Sequence, residues 1–249
     1  MCGTILVRII LKSCPTNHLI CRATHHMKKG RYMERTTGNY AALCETWREK
    51  ILHMDMEELK RRFHLREDES AYYITYFCEE YRIDKGTASL TLAKDPDRVL
   101  GFNTQMSIYN LFFYSKPGAK VKGEFVPFRL VKRASPFEGA FLETVLKPLA
   151  KIFSGRTEQL RAACRSLQGE KLTQGDVGYV LHAFDWMPVA VLFWDGDDEF
   201  EAQANLLFDA DITDFIHEET VCCIAADVIR RLTEEAGMKE KEQYLGDQY

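Results

Sequence analysis

No apolar run in this chain of 249 residues reaches the roughly 18 residues that a membrane-spanning helix needs, which points to a soluble setting. The eight cysteines, Cys2, Cys14, Cys21, Cys44, Cys78, Cys164, Cys222 and Cys223, make no C-x-x-C pair. Metal fingers and iron–sulfur clusters need closer, repeated spacing, so the thiols are expected to be reduced, cytoplasmic and mostly in the core. Gly175, Gly178 and Gly196 form no phosphate-cradling loop, and no serine or cysteine stands in a nucleophile elbow. No known nucleic-acid reader motif is present either, and a net charge of −4 argues against a polyanionic partner. His53, His64 and His217 lack a spacing partner. His182 stands in an apolar strand, where it reads as a core or turn histidine and not as a ligand.

Two stretches each lack one sign of charge. Residues 1–32 carry Arg8, Lys12, Arg22, Lys28, Lys29 and Arg31, and the first carboxylate is Glu34. The apolar piece Thr4–Leu11 is too short and interrupted for a signal-peptide core, and no small-x-small cleavage site follows it. Residues 1–32 are therefore expected to be an over-extended start or a disordered leader, with Met33 opening the domain; a basic organelle-targeting leader is the rival reading. His18, His25 and His26 take no metal role on this reading. The second stretch lies between Lys171 and Arg230, which encloses no lysine or arginine. It holds thirteen carboxylates: Asp176, Asp185, Asp195, Asp197, Asp198, Glu199, Glu201, Asp209, Asp211, Asp214, Glu218, Glu219 and Asp227. Residues 116–171 are correspondingly basic, so the two segments either face one another in the fold or present separate fields to a partner.

What is present is ordinary globular material, 46% apolar and 28% charged. Helical spacing places Tyr40, Leu43, Trp47 and Ile51 on one face of a helix over about 39–50, and Asp55 or a neighbour caps a second over 56–63. Tyr72–Phe77 is an aromatic, β-branched strand; Glu79–Asp84 alternates and turns at Lys85-Gly86 into 87–92. Asn103–Tyr114 reads as a helix and 123–128 as extended. Ser135 and Pro136 read as the N-cap and first residue of a helix over 137–153, with Pro148 as a break, and Thr157 as the cap of a helix to about Leu167. A three-strand antiparallel meander follows over 179–184, 189–194 and 200–209, then a helix over 218–235 stopped by Gly237, and a polar tail over 238–249. The expected fold class is α+β, one domain over 33–237, with helices packed on an antiparallel sheet.

The meander divides the acids. A strand of nine or so residues runs roughly 25–30 Å, so Asp209 cannot share a site with Asp195 unless the strand bends back. One group comprises Asp176 with Asp195, Asp197, Asp198 and Glu199; the other comprises Asp185, Asp209, Asp211 and Asp214. The first five residues are the candidate ligands for a divalent cation such as magnesium or calcium, which takes several oxygens. They lack the ligand spacing of an EF-hand, and Asp-Gly beside carboxylates is also the ordinary composition of a wet hairpin turn. Nothing places a nucleophile beside them. Tyr72, Tyr73, Tyr76, Phe77 and Tyr81 suggest an aromatic shelf, although strand aromatics normally fill a core.

Several blocks carry a family likeness: Gly123–Arg129, Phe141 with Pro148-Leu149, Gly175-Asp176, Pro188–Trp194, Asp197–Phe200 and Leu206–Asp209. Over about residues 40–232 the chain resembles an uncharacterised bacterial and archaeal family, the domain of unknown function numbered 3786. The resemblance implies proteins common in anaerobes, some joined to iron–sulfur domains of corrinoid proteins in one-carbon metabolism, and so an accessory or ligand-handling role. No cluster motif is fused in this chain. The expected function is a non-catalytic module that binds a small ligand or a protein partner, with no nucleic acid and no membrane. The alternatives are a divalent-cation-dependent enzyme using the loop at 195–199 and an acidic surface that docks a basic protein.

Overall fold

Period-two and helical apolar patterns become two antiparallel sheets and a set of helices in the computed structural model, which describes residues 31–238. The expectations for residues 1–32, the metal-free role of His18, His25 and His26, and the polar tail lie almost wholly outside those residues, as do Cys2, Cys14 and Cys21. Helix α1 (Arg31–Leu52) starts earlier than its apolar spacing suggests and buries Tyr40, Cys44, Trp47 and Ile51 along one stripe. Asp55 caps α2 (Met56–Phe63), its carboxylate accepting from the N–H groups of Glu57 and Glu58 at 3.1 Å each.

The first sheet runs β1 (Arg66–Glu67), β2 (Ala71–Tyr76), β3 (Glu79–Asp84) and β4 (Leu90–Leu92) in sequence order, all antiparallel. The turn between β2 and β3 contains neither glycine nor asparagine. Phe77 and Cys78 adopt φ of 44° and 60°, the left-handed region that a two-residue hairpin demands. Tertiary packing holds this costly geometry: Phe77 is buried and its N–H donates to the carbonyl of Ala183 at 2.8 Å, joining the first sheet to the second. The aromatic shelf is core, since Tyr72, Tyr76, Phe77 and Tyr81 are all buried, and only Tyr73 of the five is not.

Helix α3 (Phe102–Tyr114) is enclosed on most sides. After β5 (Phe125–Pro127) and a 3-10 turn over Phe128–Leu130, a second 3-10 turn occupies Ser135–Phe137. Ser135 therefore belongs to that turn, and its side chain caps nothing. The helix continues through α4 (Glu138–Phe141), a π-helical turn over Leu142–Leu146 and α5 (Lys147–Phe153), so Pro148 does not break it. A proline ring clashes with the carbonyl four residues back and offers no N–H. The wide turn, in which the Lys147 N–H reaches the Leu142 carbonyl, leaves Pro148 in the first turn of α5, where neither defect matters. Helix α6 (Thr157–Ser166) starts one residue earlier than a Thr157 cap requires: Arg156 is the cap residue and makes no side-chain cap bond.

The second sheet has the order β5-β9-β8-β7-β6, from β6 (Glu170–Lys171), β7 (Val177–Phe184), β8 (Met187–Trp194) and β9 (Gln203–Asp209). This is the expected meander, with Asp185-Trp186 as the turn between β7 and β8. The last strand begins at Gln203; Phe200, despite matching the alternation, stays in the loop and is 65% exposed. Helix α7 (Glu218–Glu235) closes the fold and gives way at Gly237, whose φ is 66°. One apolar cluster runs from Tyr40 to Leu232 through both sheets and the helices. Among the described residues no helix is long and apolar enough to cross a membrane.

Candidate functional site

The acidic loop between β8 and β9 stands where the sheet meets α5 and α6. Backbone engages two of its carboxylates, Asp195 and Asp197, and that of neighbouring Asp176. Asp176 Oδ2 accepts from the Asp195 N–H at 2.8 Å, and the Asp176 N–H donates to Phe193 O at 2.9 Å. Gly175 makes that approach possible: its φ is 73°, and a Cβ there would sit 2.6 Å from the Phe193 carbonyl oxygen. The Asp176 carbonyl accepts from the Arg161 guanidinium at 2.6 Å. Asp195 Oδ1 accepts from the N–H groups of Gly155 at 2.8 Å and Gly196 at 2.9 Å, which pins the loop to the end of α5. Asp197 Oδ1 accepts from the N–H groups of Glu199 at 2.9 Å and Phe200 at 2.8 Å, closing an Asx turn that the Asp197 N–H to Phe200 O bond completes. Those two N–H groups hold the Asp197 carboxyl below the usual carboxylate range.

Of the five candidate ligands, Asp176 and Asp195 are therefore brought together through a backbone N–H. Asp197 folds its carboxylate onto its own turn, and Asp198 and Glu199 are exposed. Among the described residues no three His, Cys, Asp or Glu side chains form a group that could hold a metal ion. The physical reason is visible in the bonds above: the Asp176, Asp195 and Asp197 oxygens are turned toward separate N–H donors, and Asp198 and Glu199 stand exposed.

The acids assigned to the other end of the meander are also apart from this loop. Asp209 is buried and accepts from Lys122 N at 3.1 Å, Gly123 N at 2.7 Å and Asp211 N at 3.0 Å, tying the segment before β5 to the end of β9. Asp214 pairs with Lys116, and Glu218 with Arg133 at 3.1 Å, so parts of the basic and acidic segments do face one another. Lys122, Lys147 and Arg161 instead pair with Glu124, Glu143 and Glu158 of their own segment.

The opening that the loop borders was not anticipated from sequence. A groove of about 1280 Å³ lies between the helix side, with Leu142, Leu146, Lys147 and Lys151, and the loop side, with Asp197 through Ala204. Exposed Leu142 and Phe200 give it apolar patches. Four carboxylates, Asp197, Asp198, Glu199 and Glu201, stand on the loop side, opposite the two lysines. The π-helical turn forms one wall; such turns widen a helix locally and recur at functional sites. The signal available in sequence was Pro148 inside a helical pattern, which marks an irregularity without telling its kind.

Thiol chemistry has little footing here. Cys44, Cys164, Cys222, Cys223 and Cys78 are free thiols, and all but Cys78 are buried. Burial pushes the Cys44 thiol up to about 11 and Cys164 to about 12, so both stay protonated and unreactive near neutrality. His182 is half-buried in β7 opposite Pro188.

A second polar constellation escaped the sequence reading. Asp227, on α7, accepts from Tyr76 Oη at 2.9 Å, Thr104 Oγ1 at 3.0 Å and Arg230 Nε at 3.0 Å. Beside it Arg231 pairs with Glu79 and donates to Tyr81 Oη at 2.6 Å. These groups are enclosed, and their partners already satisfy most of their bonds, as a structural network requires.

No curated protein and no solved structure matches the chain. The family comparison does match, over residues 55–231. The match starts after α1, later than the residue-40 limit of the sequence likeness, and ends within one residue of its far limit. It takes in both sheets, the acidic loop and the groove, and by it the chain belongs to the family described as Domain of unknown function (DUF3786).

Proposed function

We propose that this chain is a non-catalytic binding or accessory module whose ligand lies in the groove between residues 142–155 and 196–204. The observation that carries the reading is the groove with its prearranged loop wall, fixed by backbone bonds to Asp176, Asp195 and Asp197. A wall that is already ordered reduces the entropy lost on binding. The same bonds give those carboxylates a scaffolding task, which favours a module over a catalyst. Among the described residues the five cysteines are all free thiols, two of them adjacent at Cys222 and Cys223, which supports a reducing, cytoplasmic setting. The excess of acid around the groove disfavours a nucleic-acid or anionic-membrane partner. An accessory role in anaerobic one-carbon metabolism is part of the proposal and is supported by the family likeness alone.

The test is amide NMR with a library of small polar fragments. Saturable shifts are expected to cluster at 142–155 and 196–204. Saturable shifts elsewhere, with these residues silent, overturn the reading. The rival is a divalent-cation-dependent enzyme, and the exposed Asp198 and Glu199 are the observation in its favour. Calorimetry with magnesium, calcium and manganese separates the two. Binding tighter than about millimolar that disappears in Asp198→Ala would replace the module with the cation site.

A further inference from the structure

We infer that the groove receives an extended, basic segment of a partner protein, which adds to β9 as a further strand. This rests on the groove being the binding site and names the class of ligand it takes. β5 covers only the far end of β9, pairing Phe125, Val126 and Pro127 with Asp209, Phe208 and Leu207. The chain then turns into the 3-10 turn at Phe128, and among the described residues no strand flanks Gln203–Leu206 on that side.

Antiparallel pairing alternates the direction of backbone groups, so one known bond sets the rest. The Ala210 N–H donates to Glu124 O on the β5 side at 2.9 Å. Phe208, Leu206 and Ala204, two, four and six residues back from Ala210, direct N–H and C=O to the same side, while Gln203, Asn205 and Leu207 face β8. Pro127 obeys this parity, because opposite Leu207 its missing N–H would point away from β9. Ala204 and Ala202 are half-buried, line the groove, and among the described residues exchange no backbone bond with any loop or turn. An uncovered edge of this kind is a template for another strand.

The rest of the groove fits such a ligand. Alternate side chains of an added strand would fall toward Leu142, Leu146 and Phe200. Charge selects its sign: four loop carboxylates face two lysines, and Lys147 is already paired with Glu143, which stands outside the groove. Acid is in excess, so lysine or arginine on the incoming segment is favoured and a carboxylate repelled.

The test uses the full chain and synthetic nonapeptides of alternating valine and lysine, their valine–glutamate counterparts, and valine–lysine peptides N-methylated at every second residue in either register. Fluorescence anisotropy is expected to show the valine–lysine peptide binding roughly tenfold or more tighter than valine–glutamate, with N-methylation in one register costing a similar factor. Amide exchange at Ala204 is expected to slow on binding. Ala204→Pro, which removes an N–H facing the groove and none facing β8, is expected to lose the peptide while keeping its Tm. Glu199→Lys, on the exposed loop, is expected to weaken the peptide without touching the edge. Equal binding of N-methylated peptides overturns strand addition and leaves the groove reading standing, since side chains alone would then be captured. Fragments that perturb the groove while no peptide does so overturn the peptide class alone. Silence of the groove toward both overturns both readings. A dimer of the chain that Ala204→Pro dissolves makes a second copy the occupant and overturns the partner segment.

Discussion

Asp209 illustrates what a single buried carboxylate does in this fold. Three backbone N–H groups depend on it, from Lys122, Gly123 and Asp211. Asp209→Ala leaves these donors without an acceptor and is expected to cost about 3 kcal/mol, read from urea denaturation; Asp209→Asn, which keeps an acceptor oxygen, is expected to recover part of that. Glu79 supplies a pH dependence. Burial raises its carboxyl, but Lys94 and the Arg231 guanidinium outweigh that and hold it below its ordinary range. A carboxyl depressed in the folded state stabilises above its unfolded pKa, about 4.3, and the stabilisation is lost as pH falls through the folded value. Acid unfolding is therefore expected to show a steeper loss of stability below about pH 4.3 in the wild type than in Glu79→Gln. The acids themselves were plain in the sequence as a cluster. Their tasks were not, because the partner of Asp195 lies at Gly155 and the partner of Asp176 lies at Asp195, far along the chain.

At the scale of the element, apolar period and turn chemistry located most of the strands and helices, and failed where packing overrode local preference. The β2–β3 turn is the clearest case. Phe77 and Cys78 accept left-handed geometry because the Phe77 ring is buried and its N–H is bound to Ala183. Cys78 is exposed and adds one weak bond, from Sγ to Leu167 O at 3.3 Å. Cys78→Gly removes a Cβ from a φ of 60° and is expected to stabilise by about 1 kcal/mol, seen as a higher Tm. A fall in Tm would give the thiol bond the larger share. Pro148 and Phe200 mislead for the complementary reason. The proline is absorbed by a π-helical turn that only neighbouring packing selects, and the phenylalanine follows the alternation without joining the ladder.

Across the whole molecule, α7 is the element that gathers distant parts. Asp227 joins it to Tyr76 of β2 and Thr104 of α3, and Arg231 joins it to Glu79 and Tyr81 of β3. Asp227→Ala leaves Arg230 as an under-compensated charge with Tyr76 Oη unsatisfied. The expected cost is about 3–5 kcal/mol, measured by chemical denaturation. Replacement by an apolar residue together with Arg230→Met is expected to cost less, since neither charge is then stranded.

By itself the sequence determined the α+β class, the meander, the capped α2, the final helix and the separation of Asp209 from Asp195, all set by spacing within about ten to thirty residues. Only the tertiary structure decided that the Asp176, Asp195 and Asp197 carboxylates point to different N–H donors, that a π-helical turn faces the loop across a groove, and that among the described residues no strand covers the β9 edge at Ala204. Those features depend on which segments meet across the fold. Periodicity records which face of an element is buried, and carries no information about what lies opposite it.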